Sequence, residues 1–212
     1  MSLKVKVCGV TRPEDARLSS ELGAWAVGMI LGAESPRLLD LGAARKVRAA
    51  IPPSVMAVGV FADAPRPEIK KAISVLKLDA VQLHGEETPE ACVGLSIPVF
   101  KALTLASTDD LRLLGRYKVA GFILELARRL PEGREEVGAE ELTRRLELVR
   151  EASRSSTVLV AGRLDPETVG VAVRLGKPDG VDVSSGVESS PGVKDEAKLR
   201  AFFAAAVAAP TA

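Results

Sequence analysis

Eight short apolar runs, each followed by a longer amphipathic stretch, set what this chain can become. They are LKVKVC (3–8), WAVGMI (25–30), VMAVGVF (55–61), DAVQLH (79–84), IPVFKA (97–102), VAGFILE (119–125), TVLVAG (157–162) and GVDVSS (180–185). Most are continuous in Val, Ile and Leu rather than alternating, the pattern of parallel strands covered on both faces. Their starts follow one another at intervals of 18 to 38 residues, close to one strand, one loop and one helix each.

The stretches between carry helix punctuation. Thr11-Arg12-Pro13-Glu14 predicts a capping box and a helix to Gly23, with the Thr hydroxyl on the N3 amide and Glu14 reaching back. Thr88-Pro89-Glu90 and Asp165-Pro166-Glu167 repeat a cap-then-Pro signature, and Asp40 caps LGAARKVRAAI before Pro52-Pro53. EIKKAISVLKL, TDDLRLLGRY, AEELTRRLELVREAS and KDEAKLRAFFAAAV fill the other slots with apolar residues at three- and four-residue spacing. ARRLPEGREEVGAEE (127–141) is too charged and Gly-interrupted for core, and its first part is expected to be an extended loop. Strand and helix alternating eight times imply a parallel sheet that right-handed crossovers close on itself. The expected fold class is α/β, a single (β/α)8 TIM barrel over residues 1–208 with a frayed tail at 209–212. A doubly wound sheet would show G-x-G-x-x-G after its first strand, and Cys8-Gly9-Val10-Thr11 is not that.

Composition removes several function classes. The chain of 212 residues has 29 Lys plus Arg against 28 Asp plus Glu, a formal +1, which gives no reason to expect a phosphate-tracking surface for nucleic acid. One Trp, one Tyr and five Phe leave little for stacking bases. No run approaches the ~20 apolar residues of a membrane helix, so neither nucleic acid nor membrane is an expected partner. Two Cys and one His cannot supply the four N or S ligands of a usual zinc site. No metal is therefore expected. Cys8 and Cys92 fit two reduced thiols, and the start MSLKVKVCGV lacks an apolar stretch of signal length, so a cytoplasmic location is expected.

A barrel builds its site where strands end. The residues there are Cys8, Arg37, Gln82, His84, Lys101, Glu125, Gly162, Arg163, Asp182, Ser184, Ser185 and Gly186. Phosphate sites in this fold favour the loops after strands seven and eight, which points to Gly162-Arg163 and Ser184-Ser185-Gly186. A thiol at a strand end near Lys6 or Lys101 can ionise, because positive charge favours the thiolate. Each residue also has a plainer reading: Cys8 as a small core side chain, Glu125 as a solvated carboxylate, Arg37 as a surface Arg after Ser-Pro, His84 as a satisfied imidazole. Asp182, inside an apolar strand, must bond either a ligand hydroxyl or nearby backbone.

Lys6-Val7-Cys8-Gly9-Val10-Thr11, Ser35-Pro36-Arg37, Gly59-Val60-Phe61, Gln82-Leu83-His84-Gly85-Glu86 and Val181-Asp182-Val183-Ser184-Ser185-Gly186-Val187-Glu188, then Pro191-Gly192 and Lys194-Asp195, resemble the phosphoribosylanthranilate isomerases of tryptophan biosynthesis. The matches come in family order across nearly the whole chain. The resemblance implies a cofactor-independent Amadori rearrangement of a small phosphorylated substrate, with Cys8 as general base. The family's acid is an Asp at the end of strand six, and Glu125 stands there. The resemblance puts Arg37 on the anthranilate carboxylate, His84 and Asp182 against the substrate, and Gly162, Arg163, Ser184, Ser185 and Gly186 on the phosphate.

Two stretches depart from the family. The Gly-rich segment after strand six is replaced by Pro131-Glu132-Gly133-Arg134-Glu135-Glu136-Val137-Gly138, and Arg163 stands where a second Gly is expected. With Glu125, these fall on the half of the barrel that would bind and protonate the sugar phosphate. Two other readings therefore stay open: a barrel isomerase of altered phospho-aminosugar range, and a weakly active barrel that binds a ligand or partner. The tail Ala201 to Ala209 sets Phe202 beside Phe203, so one of them is expected to face away from the barrel, towards solvent or a second subunit; the chain is expected to be a monomer or homodimer.

Overall fold

The structure, a computed structural model, describes residues 3–127, 129–130, 133–134 and 136–209. Eight strands form the ring: β1 Lys4–Val7, β2 Ala26–Gly32, β3 Met56–Phe61, β4 Ala80–Leu83, β5 Val99–Thr104, β6 Gly121–Glu125, β7 Val158–Ala161 and β8 Gly180–Val183. Each pairs in parallel with its sequence neighbours, and β8 pairs with β1 from Lys4↔Gly180 to Val7↔Val183, which closes the barrel. Each apolar run of the sequence overlaps one of these strands; six contain theirs, while β2 and β5 run two residues past the run.

Two apolar layers follow from the side-chain alternation of a strand. Ala26, Val58, Ala80, Phe100, Ala102, Ile123, Leu159 and Ala161 fill the barrel interior, with Trp25 edge-on to Phe100 at its base. The opposite parity, such as Val5, Val7, Val27, Leu83, Val160 and Val183, packs outward against the helices. Burying one such side chain is worth about 1.5–3 kcal/mol. The helices are α1 Pro13–Glu21, α2 Leu41–Ala49, α3 Arg66–Leu76, α4 Thr108–Leu114, α5 Ala139–Ala152, α6 Val169–Gly176 and α7 Glu196–Ala208. Asp40 caps α2 as expected, accepting from the Ala43 amide at 2.8 Å. None of the described helices is long and apolar enough to cross a membrane.

The local signals mislead in four places. The Thr11 hydroxyl donates to the Gly192 carbonyl at 2.5 Å instead of capping α1, whose cap is the extended Arg12; the helix ends at Glu21. Thr88-Pro89-Glu90 opens turns rather than a helix, so no helix separates β4 from β5. There the short connection draws the Glu87 carboxylate onto the buried Lys101 ammonium at 2.9 Å, and Cys92 is buried in a turn. Asp165 closes a turn on the Glu167 and Thr168 amides, and α6 starts later, at Val169. Phe202 and Phe203 are both buried within the chain, so neither is left for a second subunit.

After β6, Arg129–Leu130 and Gly133–Arg134 pair as a two-stranded antiparallel ribbon. Residues 128, 131, 132 and 135 of the expected charged stretch lie outside the described residues, as do 210–212 of the expected frayed tail. Ala209 is buried.

Candidate active site

Inward positions continue past the ends of the strands, and that continuation makes the site. Lys6 and Cys8, Gln82 and His84, Ala102 and Thr104, Ile123 and Glu125, Ala161 and Arg163, Asp182 and Ser184 share one parity on their strands. Their upper members, with Ile30, Val60 and Arg37, line a cavity of about 620 Å³ at the C-terminal mouth. All the residues that the resemblance puts at the site line it: Cys8, Arg37, His84, Glu125, Gly162, Arg163, Asp182, Ser184, Ser185 and Gly186; Lys101, also expected at a strand end, does not.

Below Cys8 lies a buried ion pair. Lys6 Nζ stands 2.9 Å from both carboxylate oxygens of Asp182 on the neighbouring strand. Burial alone would lower Lys6, but Asp182 and Cys8 outweigh it and hold the ammonium above its ordinary value. Gly28 makes room: a Cβ there would stand 2.9 Å from Cys8 Sγ and 3.2 Å from Lys6 Nζ. Burial pushes the Cys8 thiol up, and the positive charges of Lys6 and Lys194 oppose that without overcoming it. Lys101 does not assist, because its ammonium is committed to Glu87 and the Gly85 carbonyl.

Arg37 reaches over Gly9 and makes a bidentate pair with Glu188, Nε to Oε1 at 2.8 Å and Nη2 to Oε2 at 2.6 Å. Glu188 also accepts from Lys194 at 2.8 Å, and the Lys194 ammonium donates on to the carbonyls of Cys8 and Ser184. Burial would raise Glu188, but the hydrogen bonds from Arg37 and Lys194 outweigh it and hold the carboxyl below its ordinary value. Two cations and one anion leave one net positive charge beside the cavity. Glu188 and Lys194 have no role in the sequence reading. Their signal was the Pro191-Gly192 turn, which folds 188 opposite 194 in a hairpin.

Across the mouth the Glu125 carboxylate is nearly buried, with Oε2 3.4 Å from Nε2 of the more exposed His84. The Gln82 amide nitrogen stands 3.2 Å from His84 Nδ1. Ala102, between them on β5, carries only a methyl and leaves the imidazole a path to the carboxylate. Asp182 turns both oxygens to Lys6, and each keeps a second lone pair for a hydroxyl in the cavity.

The loops after β7 and β8 meet at one corner. Gly186 lies so close to the Leu164 carbonyl that no side chain fits there. Arg163 follows Gly162 (φ 85°) and is itself left-handed at φ 59°, a conformation that a non-Gly residue adopts at a cost of about 1–2 kcal/mol. Its backbone thus takes the shape a glycine would supply, while a guanidinium is added beside the cavity. Among the described residues no group of three or more His, Cys, Asp or Glu could hold a metal ion.

A family model of N-(5'phosphoribosyl)anthranilate (PRA) isomerase matches residues 5–205. An N-(5'-phosphoribosyl)anthranilate isomerase of Myxococcus xanthus (strain DK1622) is 43% identical over 212 residues, covering 97% of each chain. The crystal structure of phosphoribosyl anthranilate isomerase from Thermotoga maritima aligns with a TM-score of 0.85 at 35% identity, over 96% of this chain and 98% of that one. A phosphoribosyl anthranilate isomerase in complex with reduced 1-(o-carboxyphenylamino)-1-deoxyribulose 5-phosphate aligns at 0.81 and 33% identity, with the same coverage of 96% and 98%.

Proposed function

The chain belongs to the N-(5'-phosphoribosyl)anthranilate isomerase family and isomerises that compound in tryptophan biosynthesis; from this premise we propose that Cys8 is the base and Glu125 the acid. Glu125 protonates the ribose ring oxygen, the furanose opens to an iminium, and the Cys8 thiolate removes the proton from C2′. The resulting enolamine tautomerises to 1-(2-carboxyphenylamino)-1-deoxyribulose 5-phosphate. Hydrogen moves within one molecule and no electrons leave it, so the reaction is an intramolecular oxidation and reduction that side-chain acid and base can complete without a cofactor.

The observation that carries this reading is the placement of Cys8 and Glu125. They end β1 and β6, strands separated in the ring by β8 and β7, and both line one cavity. The remaining assignments follow the charge. Arg37, with the net positive charge it shares with Lys194 and Glu188, holds the anthranilate carboxylate. Asp182 and His84 meet the ribose hydroxyls. Gly162, Arg163, Ser184, Ser185 and Gly186 take the phosphate at the corner where the two loops meet. The barrel works as one domain, residues 1–208, as a monomer or homodimer. Two free cysteines support a reducing, cytoplasmic setting.

The test is loss of substrate fluorescence when phosphoribosylanthranilate is generated in situ with the native protein, Cys8→Ser and Glu125→Ala. Each substitution is expected to cost about 10²–10⁴ in kcat. A folded native protein that shows no turnover would favour the altered-substrate or binding readings.

A further inference from the structure

The proposed mechanism leaves the enzyme in the wrong state. After C2′ deprotonation Cys8 holds a proton and Glu125 has lost one, so before the next turnover Cys8 must release its proton to solvent and Glu125 must regain one. Glu125 is nearly buried, and the group against its Oε2 is His84, whose side chain is 37% exposed. The other ring nitrogen of His84 meets Gln82, which is itself buried.

Gln82 has an unusual feature: its Oε1 is buried with no hydrogen-bond partner among the described residues. One end of the amide meets Nδ1 and the other end is held by nothing. With the amide nitrogen towards the ring, Nδ1 accepts, and the neutral imidazole carries its proton on Nε2, aimed at Glu125. With the amide turned over, Oε1 accepts from Nδ1–H, and the imidazolium has a partner at both nitrogens. Neither orientation costs a bond that the other keeps.

We propose that Gln82, His84 and Glu125 form a proton relay that reloads the acid between turnovers, with the Gln82 amide serving either protonation state of the imidazole. In the reloading step the imidazolium gives its Nε2 proton to Glu125 Oε2, leaving a neutral ring and a neutral carboxylic acid, and the ring regains a proton from solvent. The charged groups facing His84 are Glu125 from β6 and Asp182 from β8, with Glu86 beside it in the loop after β4 and Arg163 and Arg37 along the cavity wall. His84 acts through Glu125, so it is a positioning and proton-supply residue.

The inference rests on Glu125 being the acid, and its test separates the two. Reloading follows the first irreversible steps, so His84→Gln is expected to lower kcat about 10- to 100-fold and kcat/KM by clearly less, the smaller loss being that of its contact with the ribose. Added imidazole is expected to restore the kcat of His84→Ala in proportion to its concentration. In native protein the ¹⁵N signals of this one histidine are expected to show the Nε2–H tautomer when neutral, and Gln82→Leu to shift that tautomer balance. Unchanged kcat in His84→Gln, equal loss of kcat and kcat/KM without imidazole rescue, or a neutral Nδ1–H tautomer would each overturn the relay. Full activity in Glu125→Ala would instead overturn the acid assignment beneath it.

Discussion

The two sides of the cavity are built in opposite ways. Around Cys8 every charge is locked: Lys6 on Asp182, Arg37 on Glu188, Lys194 on Glu188 and two carbonyls. These ties join residues far apart in the chain and fasten β1 to β8 and to the hairpin behind it. Beside Glu125 stands the more exposed His84 imidazole at 3.4 Å, whose other nitrogen meets the Gln82 amide at 3.2 Å, and the left-handed Arg163 lines the same cavity. The Cys8 side is fixed and buried, whereas the Glu125 side opens to water through His84. Under the proposed roles, a thiol held against a C–H bond needs the first environment, and an acid that is resupplied needs the second.

The contrast is broken most severely by Lys6→Met. It leaves Asp182 buried without its counter-ion, and a loss of about 3–5 kcal/mol is expected in chemical denaturation. His84→Ala, on the open side, is expected to move stability by less than about 1 kcal/mol; similar losses in the two variants would erase the distinction. Next is Arg37→Lys. An ammonium keeps the charge but cannot make the bidentate pair, so KM for phosphoribosylanthranilate is expected to rise about 10- to 100-fold with kcat less affected.

Cys8 itself can be titrated. Burial raises its thiol, so alkylation of Cys8 by iodoacetamide in the free protein is expected to accelerate with pH and to level off only above the ordinary thiol value of about 8.5. A plateau below neutrality would mean that Lys6 and Lys194 outweigh burial. The smallest effect is expected from Arg163→Gly. It relieves the left-handed backbone and should stabilise the fold by about 1 kcal/mol, while KM rises because a charge on the phosphate is lost. A stabilised variant with unchanged KM would remove Arg163 from the phosphate site.

The sequence made the closed side's residues visible but not its bonds. Strand periodicity located all eight strands because continuous Val, Ile and Leu are dictated locally by burial on both faces. Strand ends then located Cys8, Glu125 and Asp182. The Arg37–Glu188–Lys194 cluster stayed hidden, because its ties span up to 151 residues and depend on a hairpin whose partner lies on another strand. The missing helix after β4 was hidden for a related reason: Thr88-Pro89-Glu90 is a sound local cap, and only the Glu87–Lys101 pair reveals that the segment is pulled inward. The His84–Glu125 contact joins two strands across a third, where the deciding feature is the small size of Ala102.

One tie bears on when the protein becomes an enzyme. Lys194 donates to the carbonyl of Cys8 across 186 positions of chain. All eight strands are made once synthesis reaches Val183, yet the ammonium that braces the first strand's end, and the carboxylate that fixes Arg37, come later. Contacts of such long sequence separation form late. A chain can therefore hold all eight strands of the ring before the side chains that brace the end of the first strand have been made.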